Sequence, residues 1–531
     1  MTPKNTTPAK RQNRSSETIP ANDRIAFQKF IKYDSAYEYI LGGLTLAYFI
    51  YYIFKLFSSL GDTFFSTDEN FHAYIASVIF EIKSLPARLP ENIYGGYEYS
   101  YPPLFHILGA IVMSIAGFPA LMFFNLILFI LFIAGFYVLI RKHYGNSEAL
   151  LACLLMSLSP VIAVNSIRFM TEMLSMVLIY FSFFYLVVAI KKHKKADAII
   201  SGLSTGLLIL AKQIGIVVLG FYFILLVWFT IVRRKDVRLI LYIIGTAVLV
   251  VLPYFIWALY HRIEIFGFVS LFLGTQPEWA TAAVKSFRRY DSSLKEFAFI
   301  FITGKEAVVA AFFLIPIYHF IRTRAKDHPH NYIFIMTIYL VAVMVVWHIT
   351  NSRHTIILLP FIAFLFGYTV TQIITYKMAI NAVIVFLLII ASSFAYQMPN
   401  HRKRFNASVE FIELTKIIQK DNMENSMTLV AHAFDMAMYS RKPVIWPYPN
   451  LQTIPINLFE KQPPADLYNL LKKYRIGYIL IDFQLVTKDD KFVGNNYPLS
   501  FVRNCETLTR QGKVTMQAIS RSKQFVLLKV T

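Results

Sequence analysis

The chain has 531 residues, of which 56% are hydrophobic and only 16% charged, against roughly 25% charged residues in ordinary soluble domains. That balance excludes a soluble globular protein. It also removes the nucleic-acid partner that a formal net charge of +21 would suggest, because much of the positive charge sits in short blocks between apolar runs, where it reports topology.

Residues 1–35, with Lys4, Lys10, Arg11, Arg14 and Arg24 and no early apolar core, read as a basic disordered tail rather than a signal peptide. A helix needs about 20 apolar residues to cross a hydrocarbon core of about 30 Å. Runs of this kind lie near Tyr37–Phe57, Ala120–Ile140, Ala149–Val164, Met170–Ile190, Ala198–Leu210, Ile214–Val232, Leu239–Tyr260, Phe297–Ile321, Tyr332–Ile349, Thr355–Thr375 and Ala379–Tyr396. They give about eleven spans within a transmembrane domain over 36–397. Leu104–Ala116 is left out of the count: it would be only about 20 Å long at 1.5 Å per residue, and Gly117 and Pro119 end it, so it is expected to lie at the interface.

Charge placement supports that omission. With it, one side collects the tail, Arg141 and Lys142, the run Lys191 to Lys195, the run Arg233 to Arg238, Arg322 to Lys326, and Lys377. By the positive-inside rule that side is cytoplasmic. The first loop, 58–118 with its interfacial helices, then faces outward; between Ser58 and Pro103 its acids, Asp62, Asp68, Glu69, Glu81, Glu91 and Glu98, outnumber Lys83 and Arg88.

From 398 to 531 the composition turns polar and no spanning run occurs. A small α/β soluble domain is expected, with helices at Val409–Gln419 and Leu467–Tyr474 and strands at Thr428–Ala431, Tyr478–Ile481 and Phe525–Val530. An odd number of spans after a cytoplasmic N-terminus places it on the same external side as Asp68. The two cysteines, Cys153 and Cys505, fall in different phases and make no disulfide framework.

Chemistry is expected at Ser66–Pro103. Asp68 is suited to take a proton from an incoming hydroxyl or amine. Glu69 would orient an acceptor or hold His72, one helical turn further on. The same acidic pair would also cap a helix beginning near Phe71. Glu172, at the head of the fourth span, is a second external carboxylate or a boundary charge. Lys212 interrupts LLILAKQIGIVVL, and a lone Lys at a helix centre costs roughly 3 kcal/mol on insertion scales, so it marks a tight external turn or a cavity. Arg288, Arg289 and Arg353 supply further external positive charge, either for an anionic ligand or for interface anchoring. No CxxC pair, HExxH, GxxxxGK[ST] or GxGxxG occurs, so neither ATP-driven work nor a thiolate zinc site has sequence support, and Asp68, Glu69 and His72 are the one set with the chemistry to hold a divalent ion, which is not expected.

The string TDENFHAY at Thr67–Tyr74, Tyr-Pro-Pro-Leu at Tyr101–Leu104, Arg168 to Glu172, Ala211-Lys212, and Arg353 before Pro360 occur in that order. Together they resemble the GT-C superfamily, in particular the bacterial branch with the lipid A aminoarabinose transferase, and the protein O-mannosyltransferases. The resemblance covers about residues 37 to 396. It implies a GT-C membrane fold in a bacterial plasma membrane. The implied activity is inverting transfer of a sugar from a polyprenyl-phosphate donor to a lipid, glycan or protein acceptor at the external face. Asp68 would be the general base with Glu69 beside it, Glu172 the second acidic position, and Lys212 a phosphate contact. No cofactor or metal beyond the lipid-linked donor is expected. One departure is plain: the Arg often found just after the acidic pair is missing, with Phe71 and His72 in that region. A multi-span transporter or lipid-linked-sugar flippase is the competing reading, since intramembrane charge also suits ion-coupled binding.

Overall fold

The computed structural model of the chain describes residues 39, 42–51, 54, 67–89, 97–98, 101–159, 162, 165–232, 236–263, 330–346, 356–373, 409–421, 426–430, 436, 439–440, 444–445, 461–487 and 497–531. The expected spans at Phe297–Ile321 and Ala379–Tyr396, and Arg288, Arg289 and Arg353, lie outside the described residues.

Among the described residues, Phe118–His143, Thr171–Lys192, Ile214–Val232 and Val237–Tyr260 are long and apolar enough to cross a membrane. In chain order the helices are α1 (Thr67–Ile82), α2 (Leu104–Ala116), α3 (Leu121–His143), α4 (Asn146–Leu158), α5 (Thr171–Lys192), α6 (Lys195–Ala211), α7 (Ile214–Val232), α8 (Val237–Tyr260), α9 (His330–Val346) and α10 (Leu359–Ile373). A two-stranded ribbon, β1 (Arg88–Leu89) with β2 (Tyr97–Glu98), links α1 to α2.

The apolar pattern decides where each helix sits. α5 carries buried residues on every face, as a helix apolar all round should at the centre of a bundle. α3, α7 and α8 instead leave Leu131, Val227 and Leu249 exposed, the outward faces that lipid would cover. Helix ends follow local chemistry. α2 stops at Gly117, whose φ of 77° lies in the left-handed region that favours glycine. The apolar run expected to stay helical to Val164 ends sooner: α4 stops at Leu158. Ser159 precedes Pro160, and the proline ring pushes the residue before it into extended backbone, here φ −67° and ψ 122°.

α6 and α8 approach closely through Gly202 and Gly206, spaced as a GxxxG pair. A side-chain carbon on Gly202 would fall 2.4 Å from the Ile243 carbonyl oxygen, and one on Gly206 would fall 2.9 Å from that of Ala247. Backbone cannot yield as a side chain can. Gly202→Ala is therefore expected to lower stability by about 1–3 kcal/mol. Gly245→Ala on α8, where nothing lies within 4 Å, should be neutral or stabilising through helix propensity. Thermal unfolding in detergent compares the two, and equal effects would disprove the close packing.

The C-terminal region forms a five-stranded mixed sheet from β3 (Met427–Val430), β4 (Val444–Ile445), β5 (Ile476–Asp482), β8 (Val514–Ile519) and β9 (Phe525–Val530), in the order β4-β3-β5-β9-β8, beside a parallel pair, β6 (Val486–Thr487) with β7 (Tyr497–Pro498). β3 pairs parallel with β4 and β5, whereas β9 pairs antiparallel with β5 and β8. Alternation along the strands gives the sheet two apolar faces. Leu429, Ile479, Ile481 and Leu528 close against α11 (Pro464–Lys473) and α12 (Leu499–Arg510). Val430, Tyr478, Leu480 and Leu527 join one continuous core with the membrane helices. α12 and β8 were absent from the sequence expectation, although Phe501, Val502, Cys505 and Leu508 mark one buried face of α12. Burial pushes the Cys505 thiol up to about 12, so it is an inert core residue.

Candidate active site

α1 opens on Thr67, Asp68 and Glu69, with both acids in its first turn, where they complement the positive end of the helix. From Ala73 to Ile79 its side chains are buried, so the helix is held firmly and its head is fixed in position. The fold then divides the acidic pair. Asp68 is exposed, whereas Glu69 is 0% exposed and its Oε2 lies 3.3 Å from Arg168 Nε. Arg168 sits in the segment before α5. Asn125 of α3, itself fully buried, secures that segment by donating from Nδ2 to the carbonyls of Arg168 and Met170.

Four residues after Arg168 lies a second buried pair. Glu172, in the first turn of α5, accepts a hydrogen bond from Lys212 Nζ at 2.8 Å. Lys212 stands in the two-residue turn between α6 and α7, where its own N–H bonds Leu208 O and its carbonyl accepts from Gly215 N. Gly215 lets that turn close, because a side-chain carbon there would fall 2.4 Å from the Ile209 backbone nitrogen. Of the alternatives for Lys212, the turn is what forms. Its ammonium then reaches across to an acid that sequence spacing had not paired with it.

Between these pairs, Tyr101 from the Tyr-Pro-Pro stretch sets its hydroxyl 3.4 Å from Thr171 Oγ1. His72, one turn beyond Glu69, places Nδ1 2.8 Å from His106 Nε2 on α2, in a pocket walled by Tyr101 and Phe105. His106 is fully buried. Burial first, and His72 beside it second, hold its imidazole well below the usual histidine range, so His106 stays neutral and fixes the orientation of His72. Tyr439, from the C-terminal region, donates to Asn70 Oδ1 at 3.0 Å, which ties that region to the head of α1.

Asp68, Glu69, His72, Glu172 and Lys212 thus gather around the heads of α1 and α5 and the α6–α7 turn. Arg168, His106 and Asn125 complete the site; the sequence marked Arg168 only as part of a motif, without a role, and did not single out the other two. Two signals were available for Arg168: a guanidinium flanked by apolar residues, and an acid nearby in need of a partner. Among the described residues no three His, Cys, Asp or Glu side chains cluster as a metal site would require.

The family described as dolichyl-phosphate-mannose-protein mannosyltransferase matches residues 100–257, a stretch that holds Tyr101, Arg168, Glu172 and Lys212 but not Asp68. No curated protein matches the chain. Solved structures share the fold at low identity. The ArnT structure from Cupriavidus metallidurans, bound to undecaprenyl phosphate, is 14% identical with a TM-score of 0.60, over 93% of this chain and 98% of that one. The oligosaccharyltransferase AglB from Archaeoglobus fulgidus, in complex with an inhibitory peptide and a dolichol-phosphate, is 13% identical with a TM-score of 0.55, over 84% and 70%. The arabinofuranosyltransferase AftD from Mycobacteria is 13% identical with a TM-score of 0.50, over 92% and 41%. The apolar helices and the shared fold describe an integral membrane protein built like these solved structures. In fold the chain resembles ArnT, and over residues 100–257 it resembles the protein mannosyltransferases.

Proposed function

We propose that the chain is a membrane glycosyltransferase that moves a sugar from a polyprenyl-phosphate donor to a lipid, glycan or protein acceptor at the external face, with inversion. Asp68 is the general base. An acceptor lone pair forms the new bond to the anomeric carbon while the bond from that carbon to the phosphate oxygen breaks. The electron pair leaves with the polyprenyl phosphate, and Asp68 takes the acceptor's proton. The observation that supports this reading is the placement of the acidic pair at the head of α1: Glu69 is buried against Arg168, while Asp68 is exposed. The fold adds support, since two solved neighbours hold undecaprenyl phosphate and a dolichol-phosphate.

Lys212 suits the donor phosphate. An ammonium has three donors, so one can stay on Glu172 while another meets a phosphate oxygen and stabilises the charge that develops there. Arg288, Arg289 and Arg353 belong to the same proposed donor set. Glu172, by holding Lys212, orients it, and His72 lies on the acceptor side beside Glu69. Neither a cofactor nor a metal is needed beyond the lipid-linked donor.

The test is sugar transfer in lipid vesicles from a panel of labelled polyprenyl-phosphate hexoses and pentoses to an envelope extract, comparing wild type with Asp68→Asn. The variant keeps the shape and removes the base, so transfer should fall about 100-fold or more. Undiminished transfer would remove Asp68 as base. Movement of labelled lipid across the bilayer without transfer would favour the flippase reading.

A further inference from the structure

A short apolar helix before α1, Gly42–Tyr51, packs on α3 over only part of its length. They meet where Tyr48 packs on Phe129, with ring centroids 5.4 Å apart, and where the Tyr48 hydroxyl reaches Ser166 Oγ at 3.0 Å. Toward the start of the short helix they part: a side-chain carbon on Gly42 or Gly43 would meet nothing within 4 Å. The wedge between them is a cavity of about 640 Å³, within the usual range of small-molecule pockets.

Two apolar stripes at helical spacing form its walls, Leu46 and Phe49 on one side, Ile130, Ala134 and Val138 on the other. Leu46 and Val138 are each 58% exposed, so the cleft opens sideways. Arg141 closes one end, in a last turn that also carries Lys142 and His143. From Phe129 to Arg141 the helix rises about 18 Å at 1.5 Å per residue, close to the depth of one leaflet of a core about 30 Å thick. Partway along, the Thr45 hydroxyl oxygen is buried with no hydrogen-bond partner among the described residues.

We propose that this wedge binds one anionic phospholipid, with an acyl chain in the cleft, an ester carbonyl accepting from Thr45, and the phosphate at Arg141. A lipid lying against a convex helix face touches one row of side chains, whereas here two rows enclose it. The polar features occur in the order a phospholipid presents them, an acceptor partway along and an anion at the end. The cation at the mouth selects a net negative headgroup over a zwitterion. The site is separate from the ion pairs around α1 and α5 and does not depend on the sugar-transfer reading.

Native mass spectrometry of the delipidated full chain, offered equal amounts of dioleoyl phosphatidylglycerol and dioleoyl phosphatidylethanolamine, tests it. One phosphatidylglycerol should be retained in preference. Arg141→Gln, which leaves the cleft intact, should reduce that preference about fivefold. Ala134→Trp, which fills the cleft, should abolish retention of either lipid, while Val227→Trp on an exposed face of α7 should change nothing. Equal retention of the two lipids by wild type, or an unchanged preference in Arg141→Gln, would mean ordinary annular lipid and overturn the proposal.

Discussion

Lys212→Met is expected to destabilise the protein by about 3–5 kcal/mol, the usual consequence of leaving one member of a buried ion pair without the other. The loss falls on Glu172, which is 2% exposed, while Lys212 is 16% exposed. Without Lys212, Glu172 has little access to water, whereas Lys212 without Glu172 can extend toward it. Glu172→Gln should therefore cost less than Lys212→Met. The double variant should recover most of the loss, because it removes both charges from the bundle. Backbone effects do not confuse the comparison. Lys212 has φ −161° and ψ 146°, extended backbone open to any residue, and the main-chain bonds of the turn do not involve its side chain. Denaturant unfolding in detergent of the four proteins gives the coupling energy directly. If Lys212→Met proves as stable as wild type, the pair contributes nothing. Transfer assays on the same set separate the two roles of the ammonium. A double variant that is stable but inactive assigns Lys212 to the donor phosphate, and one with restored transfer assigns it to the fold.

The legible and illegible parts of the molecule divide along a physical line. Features set by local chemistry were readable. The apolar run Ile214–Val232 is the observed helix, and Leu104–Ala116, bounded by Gly117 and Pro119, forms over the expected residues. Phe525–Val530 is the last strand. The acidic residues at Asp68 and Glu69 could be placed at a helix head because the dipole favours them there. Which acid meets which base was not readable. Glu69 and Arg168 are 99 positions apart and Glu172 and Lys212 are 40 apart. Their meeting depends on how α1, α5 and α6 cross, and helical periodicity carries no information about crossings. The same limit hid His106, an ordinary residue in an apolar helix until the packing of α1 on α2 brings it to His72. The early stop of α4 is different in kind, since Pro160 was present to announce it and the apolar run concealed it.

Arg168→Met should have an effect of similar size, about 3–5 kcal/mol, and for a sharper version of the same reason. Glu69 has no exposure at all, while Arg168 keeps 13%. Glu69→Gln should therefore be the milder change, because Arg168 can turn toward solvent. Arg168→Lys should rescue only in part, since a point charge on a flexible stem does not reproduce a planar guanidinium approaching through Nε. The pair also bears on the chemistry, because Glu69 is the immediate neighbour of Asp68. Releasing Glu69 loosens the first turn of α1 and with it the proposed base. Arg168→Met is accordingly expected to lower kcat for sugar transfer by more than it raises KM, as loss of orientation does. Asn125→Ala supplies the control. It removes the donor to the Arg168 and Met170 carbonyls yet leaves both charges in place, so its effect should be smaller, about 1–3 kcal/mol. If Asn125→Ala equals or exceeds Arg168→Met, the segment before α5 is held by its backbone and the ion pair is incidental. The reverse order makes the Glu69–Arg168 contact the element that fixes α1 against α5 and sets the position of Asp68.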